Sequence, residues 1–205
     1  MLDQRIQGLY GITPNNNLNI ALIERIFNEH KVNILQYRHK TNNDKLKLEE
    51  AKRLLELCLQ HNTLFIVNDD INLCEKVGAD GIHFPEKHIF DADTQKLKED
   101  FILGQSVHSL EMAIKAELLY IDYLIVGTLF PSKSHPHGRV NGTKIIEDIS
   151  GKLSVPLIGI GGISSQNCRK VIDSGASGVA VIGAISEADD PRLESQIILE
   201  NISVS

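Results

Sequence analysis

The 205-residue sequence predicts an α/β fold in which eight strand–helix units close into a (β/α)8 barrel. Three observations predict it. Strand-like and helix-like runs alternate along the whole chain with few interruptions and no linker. Two runs near the carboxyl end, Ile158-Gly159-Ile160-Gly161-Gly162-Ile163 and Gly178-Val179-Ala180-Val181-Ile182-Gly183, are apolar and β-branched, end in glycine and open into helical patterning, as buried parallel strands do. With 42% hydrophobic and 23% charged residues, 205 residues suffice for one large core and are short for two. The expectation is a single TIM barrel domain over residues 1–205.

Taken in order, the strands are Gly8 to Thr13, Ile34 to Arg38, Leu64 to Asn68, Gly81 to Phe84, Ile102 to Ser106, Tyr123 to Val126, Leu157 to Ile160 and Gly178 to Ile182. Between them, segments such as Asp44 to His61 and Ser109 to Leu118 repeat apolar residues three and four apart, the spacing of an amphipathic helix on a sheet. Ser109 and Ser164 are read as N-caps. Val77-Gly78-Ala79-Asp80-Gly81-Ile82-His83 is echoed by Ser174-Gly175-Ala176-Ser177-Gly178-Val179-Ala180, each a helix that ends on glycine before the next strand. Pro131 to Gly142 is too polar and too rich in Pro and Gly for core, and reads as a mobile active-site loop after strand six.

Composition narrows the function. No apolar run reaches membrane-spanning length, and Met1-Leu2-Asp3-Gln4-Arg5 lacks a signal-peptide core, so a cytoplasmic protein is expected. The net charge of −6 argues against nucleic acid or an anionic membrane as partner. Cys58, Cys74 and Cys168 show no metal or redox spacing and read as buried reduced thiols. The oligomeric state stays open, a homo-oligomer included.

Candidate chemistry gathers where strands end. Glycine lets a backbone approach an anion closely, and helix N-termini supply N–H donors, so the turns after strands seven and eight suggest a phosphate grip. On that reading Gly162→Ala or Gly183→Val weakens phosphate binding and leaves the fold intact. Strand two runs into Gln36, Arg38 and Lys40, which alternation places on one face toward the barrel mouth. Strand three ends Asn68-Asp69-Asp70; Asp70 reads as a helix N-cap and Asp69 as a candidate Mg²⁺ ligand, since that ion takes oxygen donors. Strand five offers Ser106 and His108, and the loop after strand six offers Ser132, Lys133, Ser134, His135, His137 and Arg139. His83, inside a strand, reads as a satisfied core or inter-strand histidine rather than a ligand.

Leu9-Tyr10-Gly11-Ile12-Thr13, Gln36-Tyr37-Arg38-His39-Lys40, Val67-Asn68-Asp69, Gly78-Ala79-Asp80-Gly81-Ile82-His83, Gly104-Gln105-Ser106-Val107-His108-Ser109, Val126-Gly127-Thr128-Leu129-Phe130-Pro131 and the Ile158 to Ile163 run stand in the order seen in thiamine phosphate synthases. The chain resembles that family, and its close relatives the thiazole tautomerases, from Leu9 to Pro191. The resemblance implies a transferase of thiamine biosynthesis that joins hydroxymethylpyrimidine diphosphate to thiazole phosphate and releases pyrophosphate, with Mg²⁺ as cofactor. It implies that Arg38, Lys40 and Ser106 are catalytic and that Asp69 holds the metal. Gln36 and Asn68 would hold the pyrimidine diphosphate, and Gly161, Gly162, Ile182 and Gly183 the thiazole phosphate, with Ser132, Ser134 and His135 from the loop.

The sequence also departs from that pattern. Where the family carries a second metal aspartate, this chain reads Pro85-Glu86-Lys87-His88, with His88 at the position and Glu86 nearby. His135 stands in place of a loop lysine, and Thr128 where the tautomerases carry histidine. Mg²⁺ disfavours imidazole, so the site is expected to be weaker, to use Glu86, or to rely on pyrophosphate, and His88→Asp to tighten it. A thiazole tautomerase-like or other thiamine-pathway enzyme, and a non-catalytic phosphate-binding protein, are the alternatives these departures leave.

Overall fold

The structure, a computed structural model, describes residues 5–15, 18–131, 140–181 and 190–203. Eight parallel strands pair in chain order: β1 Gly8–Ile12, β2 Ile34–Tyr37, β3 Leu64–Asn68, β4 Gly81–Phe84, β5 Ile102–Val107, β6 Tyr123–Val126, β7 Leu157–Ile160 and β8 Gly178–Val181. The sheet closes on itself where Gly178 of β8 registers with Gly8 of β1. Each strand falls within a residue or so of its expected span. Outside it lie α1 Ile20–Glu29, α2 Asp44–Gln60, α3 Ile71–Val77, α4 Ala92–Lys96, α5 Leu110–Leu118, α6 Lys144–Ser150, α7 Cys168–Asp173 and α8 Pro191–Ser203. Helix α8 packs on α1, α7 and β1, covering the seam.

Local chemistry sets the helix starts. Asn19, Asn43, Asp70, Asp91 and Ser109 each accept a hydrogen bond from the backbone N–H three residues on, which satisfies one of the free donors of the first turn. Ser109 and Asp70 therefore act as the sequence suggests. Ser164 does not: helix α7 begins at Cys168, and Ser164 sits in the turn before it, its N–H donating to Asn167 Oδ1 at 2.9 Å. The Asn167 amide reaches back to the Gly162 carbonyl, so the turn is held closed before the helix can start. Gly78 ends α3 in a left-handed conformation, φ 73°, and Gly175 has φ 101° in the echoing turn after α7.

Alternation along the strands sorts the apolar residues into two cores. Tyr10, Ile12, Ile34, Leu64, Ile66, Tyr123, Ile125, Ile158 and Ala180 fill the barrel interior. Leu9, Leu35, Phe65, Val67, Ile82, Phe84, Leu103, Leu124 and Val179 face outward onto the helices. Each fully buried Leu or Ile contributes about 1.5–3 kcal/mol relative to exposure. The three cysteines lie buried and free in α2, α3 and α7, and burial pushes the Cys74 thiol up to about 12. Among the described residues no helix is long and apolar enough to cross a membrane.

At the amino-terminal rim, side chains just before even-numbered strands accept from N–H groups of the preceding odd strand. Asn33 Oδ1 accepts from Leu9, Asp80 Oδ2 from Phe65 and Asp122 Oδ2 from Leu103, at 3.4, 2.7 and 2.9 Å. These acceptors satisfy strand donors that have no ladder partner at that edge.

At Gly104 the interior has no room for a side chain, because a Cβ there would collide with the Tyr123 ring. Gly104→Ala is therefore expected to destabilise the barrel by about 1–3 kcal/mol, as overpacking does. Urea unfolding of the variant against the parent checks this; equal midpoints would show that the ring has room to move.

Candidate active site

The carboxyl ends of the strands surround a cavity of about 1010 Å³. Gln36, Arg38, Lys40, Asn68, Asp69, Ser106, Gly161 and Gly162, expected from the sequence to act together, all line it. Ser132, Ser134 and His135, with most of the 131–142 loop, and Ile182 and Gly183 lie outside the described residues.

The end of β2 is held from both sides. Gln36 turns into the barrel and is buried, while Tyr37 turns outward and donates its hydroxyl proton to Glu50 Oε2 of α2 at 2.6 Å. The same carboxylate oxygen lies 2.7 Å from His39 Nδ1. The Thr13 hydroxyl accepts from the Arg38 N–H at 2.8 Å and donates to the Arg38 carbonyl at 3.1 Å, which pins the backbone of the arginine to the end of β1. Arg38 and Lys40 thus enter the mouth of the cavity from a fixed stem, and Lys47 and Lys87 add positive charge to the same lining. An acidic chain concentrates cations here.

Strand β3 ends with a reversal at Asp69, whose φ is 52°, in the left-handed region that Asp tolerates better than most residues. Its N–H donates to the His83 carbonyl at 3.0 Å. Asp70 is already committed: Oδ1 accepts from Leu73 N–H at 3.0 Å and Oδ2 lies 3.4 Å from Lys47 Nζ. Among the described residues the Asp69 carboxylate has no such partner and is the one left for a ligand.

The two residues that sequence comparison offers as a second metal ligand are turned elsewhere. The His88 ring stacks on Phe84 at 4.1 Å between centroids and meets Phe90 edge-on at 4.8 Å. Glu86 Oε1 accepts from the His108 N–H at 2.7 Å and lies 3.3 Å from its Nδ1. Neither lines the cavity. Among the described residues no group of three His, Cys, Asp or Glu side chains gathers to hold an ion. The donor set fits Mg²⁺ only in the form that ion often takes, one carboxylate with water and substrate phosphates completing the shell.

His83 is the satisfied inter-strand histidine the sequence suggests, and more. Its Nδ1 lies 3.2 Å from the Tyr123 hydroxyl and its Nε2 2.8 Å from Ser106 Oγ. Tyr123 in turn meets the Tyr10 hydroxyl at 2.9 Å, which accepts from Gln36 Nε2 at 2.8 Å. Sequence reasoning missed both tyrosines; their signal is an aromatic residue at an inward position of β1 and of β6. It also missed Glu194, a cavity-lining residue of α8 that accepts from the Ser165 N–H at 2.8 Å and hydroxyl at 2.9 Å and so ties the turn after β7.

Gly161 and Gly162 carry φ of 101° and 62°. A Cβ on Gly162 would press on the Phe130 carbonyl oxygen at 2.7 Å, and one on Gly161 on Thr128 Cα at 3.0 Å. Both glycines are thus required by the chain leaving β6, which crosses over them and donates from Phe130 N–H to the Gly161 carbonyl at 2.9 Å. This corrects the expectation that Gly162→Ala spares the fold: the variant displaces the turn itself and is no clean probe of phosphate binding.

Against this geometry stand the comparisons with known proteins. The family model described as thiamine monophosphate synthase matches residues 9–185. A thiamine-phosphate synthase of Chlorobium phaeovibrioides is 40% identical over 172 residues, covering 82% of each chain. A thiamine biosynthesis bifunctional protein of Geobacter sulfurreducens is 34% identical over 93% of this chain, which spans 39% of that longer protein. In structure, the thiamine phosphate pyrophosphorylase from Pyrococcus furiosus superposes with a TM-score of 0.88 at 28% identity, covering 98% of both chains.

Burial first, and then the charge of Arg38, hold His83 down at about 3 from an ordinary 6.5. The fold therefore favours its neutral form, and the associated stability is full above pH 6.5 and is lost as pH falls toward 3. At pH 5 the loss is about 2 kcal/mol, from 1.36 kcal/mol per unit. Denaturant unfolding at pH 7, 6 and 5 should show a steeper decline in the parent than in His83→Gln; parallel curves would mean that His83 is charged in the folded protein.

Proposed function

The chain belongs to the thiamine monophosphate synthase family, and on that premise we propose that it couples hydroxymethylpyrimidine diphosphate to thiazole phosphate, releasing pyrophosphate, in thiamine biosynthesis, as one barrel domain over residues 1–205. The observation that carries this reading is that Gln36, Arg38, Lys40, Asn68, Asp69 and Ser106 meet on one cavity at the carboxyl ends of the strands. In the reaction the bond between the pyrimidine methyl carbon and the diphosphate oxygen breaks. The electron pair leaves with pyrophosphate, and the thiazole nitrogen supplies the pair that forms the new carbon–nitrogen bond. The barrier falls when the growing charge on the leaving group meets cations already in place.

Arg38 and Lys40 serve that role, Arg38 with a stem clamped by Thr13 so that little reorganisation is needed. Gln36, Asn68 and Ser106 orient the pyrimidine diphosphate, and the turn at Gly161 and Gly162 receives the thiazole phosphate. Closure of the cavity by Ser132, Ser134 and His135, and phosphate contacts from Ile182 and Gly183, belong to the same proposal. Asp69 would hold Mg²⁺, which when bound supplies positive charge against the diphosphate oxygens. With Glu86 and His88 turned away, an ion held there would take much of its shell from substrate phosphate.

Arg38→Gln and Lys40→Gln are each expected to lower kcat/KM on the order of a hundredfold in a turnover assay with both substrates. Asp69→Asn should fall by a similar factor at limiting Mg²⁺ and recover in part as Mg²⁺ is raised; unchanged Mg²⁺ dependence would remove Asp69 from the metal site. His88→Asp places a carboxylate between Phe84 and Phe90, so it should cost about 1–3 kcal/mol in urea unfolding and leave the Mg²⁺ requirement where it was. A parent protein that makes no thiamine phosphate from the two substrates at any Mg²⁺ concentration would overturn the proposal.

A further inference from the structure

Two of the cavity's polar side chains are joined through the barrel rather than through the cavity. Gln36 on β2 and Ser106 on β5 both line the cavity, and between them run Tyr10 on β1, Tyr123 on β6 and His83 on β4. The two tyrosines are fully buried and do not line the cavity. Four bonds of 2.8, 2.9, 3.2 and 2.8 Å form one continuous chain over five strands.

The chain has a direction. The Gln36 amide nitrogen can only donate, so the Tyr10 oxygen accepts and its proton passes to Tyr123. Tyr123, already accepting, gives its proton to His83 Nδ1, which must be bare. A neutral imidazole then carries its proton on Nε2 and donates to Ser106 Oγ, leaving the serine proton free for a ligand. Turning the Gln36 amide over reverses every bond: Tyr10 donates to the amide oxygen, the proton of His83 moves to Nδ1, and Ser106 spends its proton on Nε2. In either arrangement all inner protons are used, and a mixed one strands a buried donor or acceptor at a cost of about 1–3 kcal/mol.

We propose that Tyr10 and Tyr123 are positioning residues that lock the amide orientation of Gln36 to the hydroxyl orientation of Ser106, so that the two sides of the pyrimidine diphosphate subsite present donor and acceptor as a matched pair. The subsite assignment rests on the synthase reading above; the locking does not. Because ligand selection acts on both ends at once, a ligand that sets one end sets the other.

Two measurements test it. Nitrogen-15 NMR of the parent at neutral pH should find His83 protonated on Nε2 with Nδ1 bare, and Tyr123→Phe, which removes the Nδ1 donor, should convert this to a mixture of tautomers. Kinetically, Tyr10→Phe and Tyr123→Phe should each raise KM for the pyrimidine diphosphate about five- to tenfold and change KM for the thiazole phosphate less than twofold. The double variant should match the singles, because either break cuts the same chain. An even mixture of His83 tautomers in the parent, a tautomer unmoved by Tyr123→Phe, equal changes in the two KM values, or additive losses would each overturn the proposal. If the parent turns over neither substrate, the synthase reading fails while the tautomer measurement still decides the relay; if Tyr123→Phe does not fold, Tyr10→Phe and the parent spectrum carry the test.

Discussion

Closure of the sheet is the constraint on which the rest depends. Once Gly178 of β8 registers with Gly8 of β1, no strand can slide by one residue without turning its inward side chains out onto the helices. The seam itself demands small residues, because a Cβ on Gly178 would run into the backbone of Gly8. Parity then follows round the ring. Gln36, Asn68, His83 and Ser106 occupy inward positions near the carboxyl ends of four different strands, and all four line one cavity. The active end is a consequence of register before it is a consequence of any single residue.

A polar barrel interior is costly unless each group finds a partner, and here two tyrosines, a glutamine and a histidine lie almost wholly buried. They are satisfied by one another, in a run that reaches the cavity at both ends. The same low-dielectric surroundings that raise the pKa of Tyr10 and Tyr123 and lower that of His83 keep all three neutral. The cationic side chains of the cavity stand at its mouth instead, on Arg38, Lys40, Lys47 and Lys87. Polarity inside supplies orientation; charge at the rim supplies attraction.

The barrel was legible because its signals are local. Runs such as Leu64 to Asn68 and Leu157 to Ile160 are β-branched, apolar and bounded, and caps such as Ser109 and Asp70 act within three residues. Gln36, Arg38 and Asp69 were legible for the same reason, as polar residues where a buried strand ends. What escaped was non-local. The Tyr10–Tyr123 contact spans 113 positions, and nothing in either strand announces the other. His88 occupies the right position in the chain for a ligand, but the aromatic faces of Phe84 and Phe90 capture its ring. Gly162 looked like a ligand glycine, and is also a crossing point for the chain after β6, a role visible only in three dimensions. Ser164 had the composition of a cap and lost the place to a turn closed by Asn167.

At the opposite rim, the acceptors Asn33, Asp80 and Asp122 each join an odd strand to the even strand that follows. The barrel is thereby marked off in pairs, β1 with β2, β3 with β4 and β5 with β6, each carrying its own side-chain stitch. A polypeptide reopened between β2 and β3, or between β4 and β5, keeps every stitch within a contiguous piece, whereas one reopened between β3 and β4 separates Asp80 from Phe65. At that rim these three bonds group the strands in twos, while the buried Thr63 hydroxyl, donating to the Val32 carbonyl at 2.7 Å, ties β3 back to β2 across the boundary between two such groups.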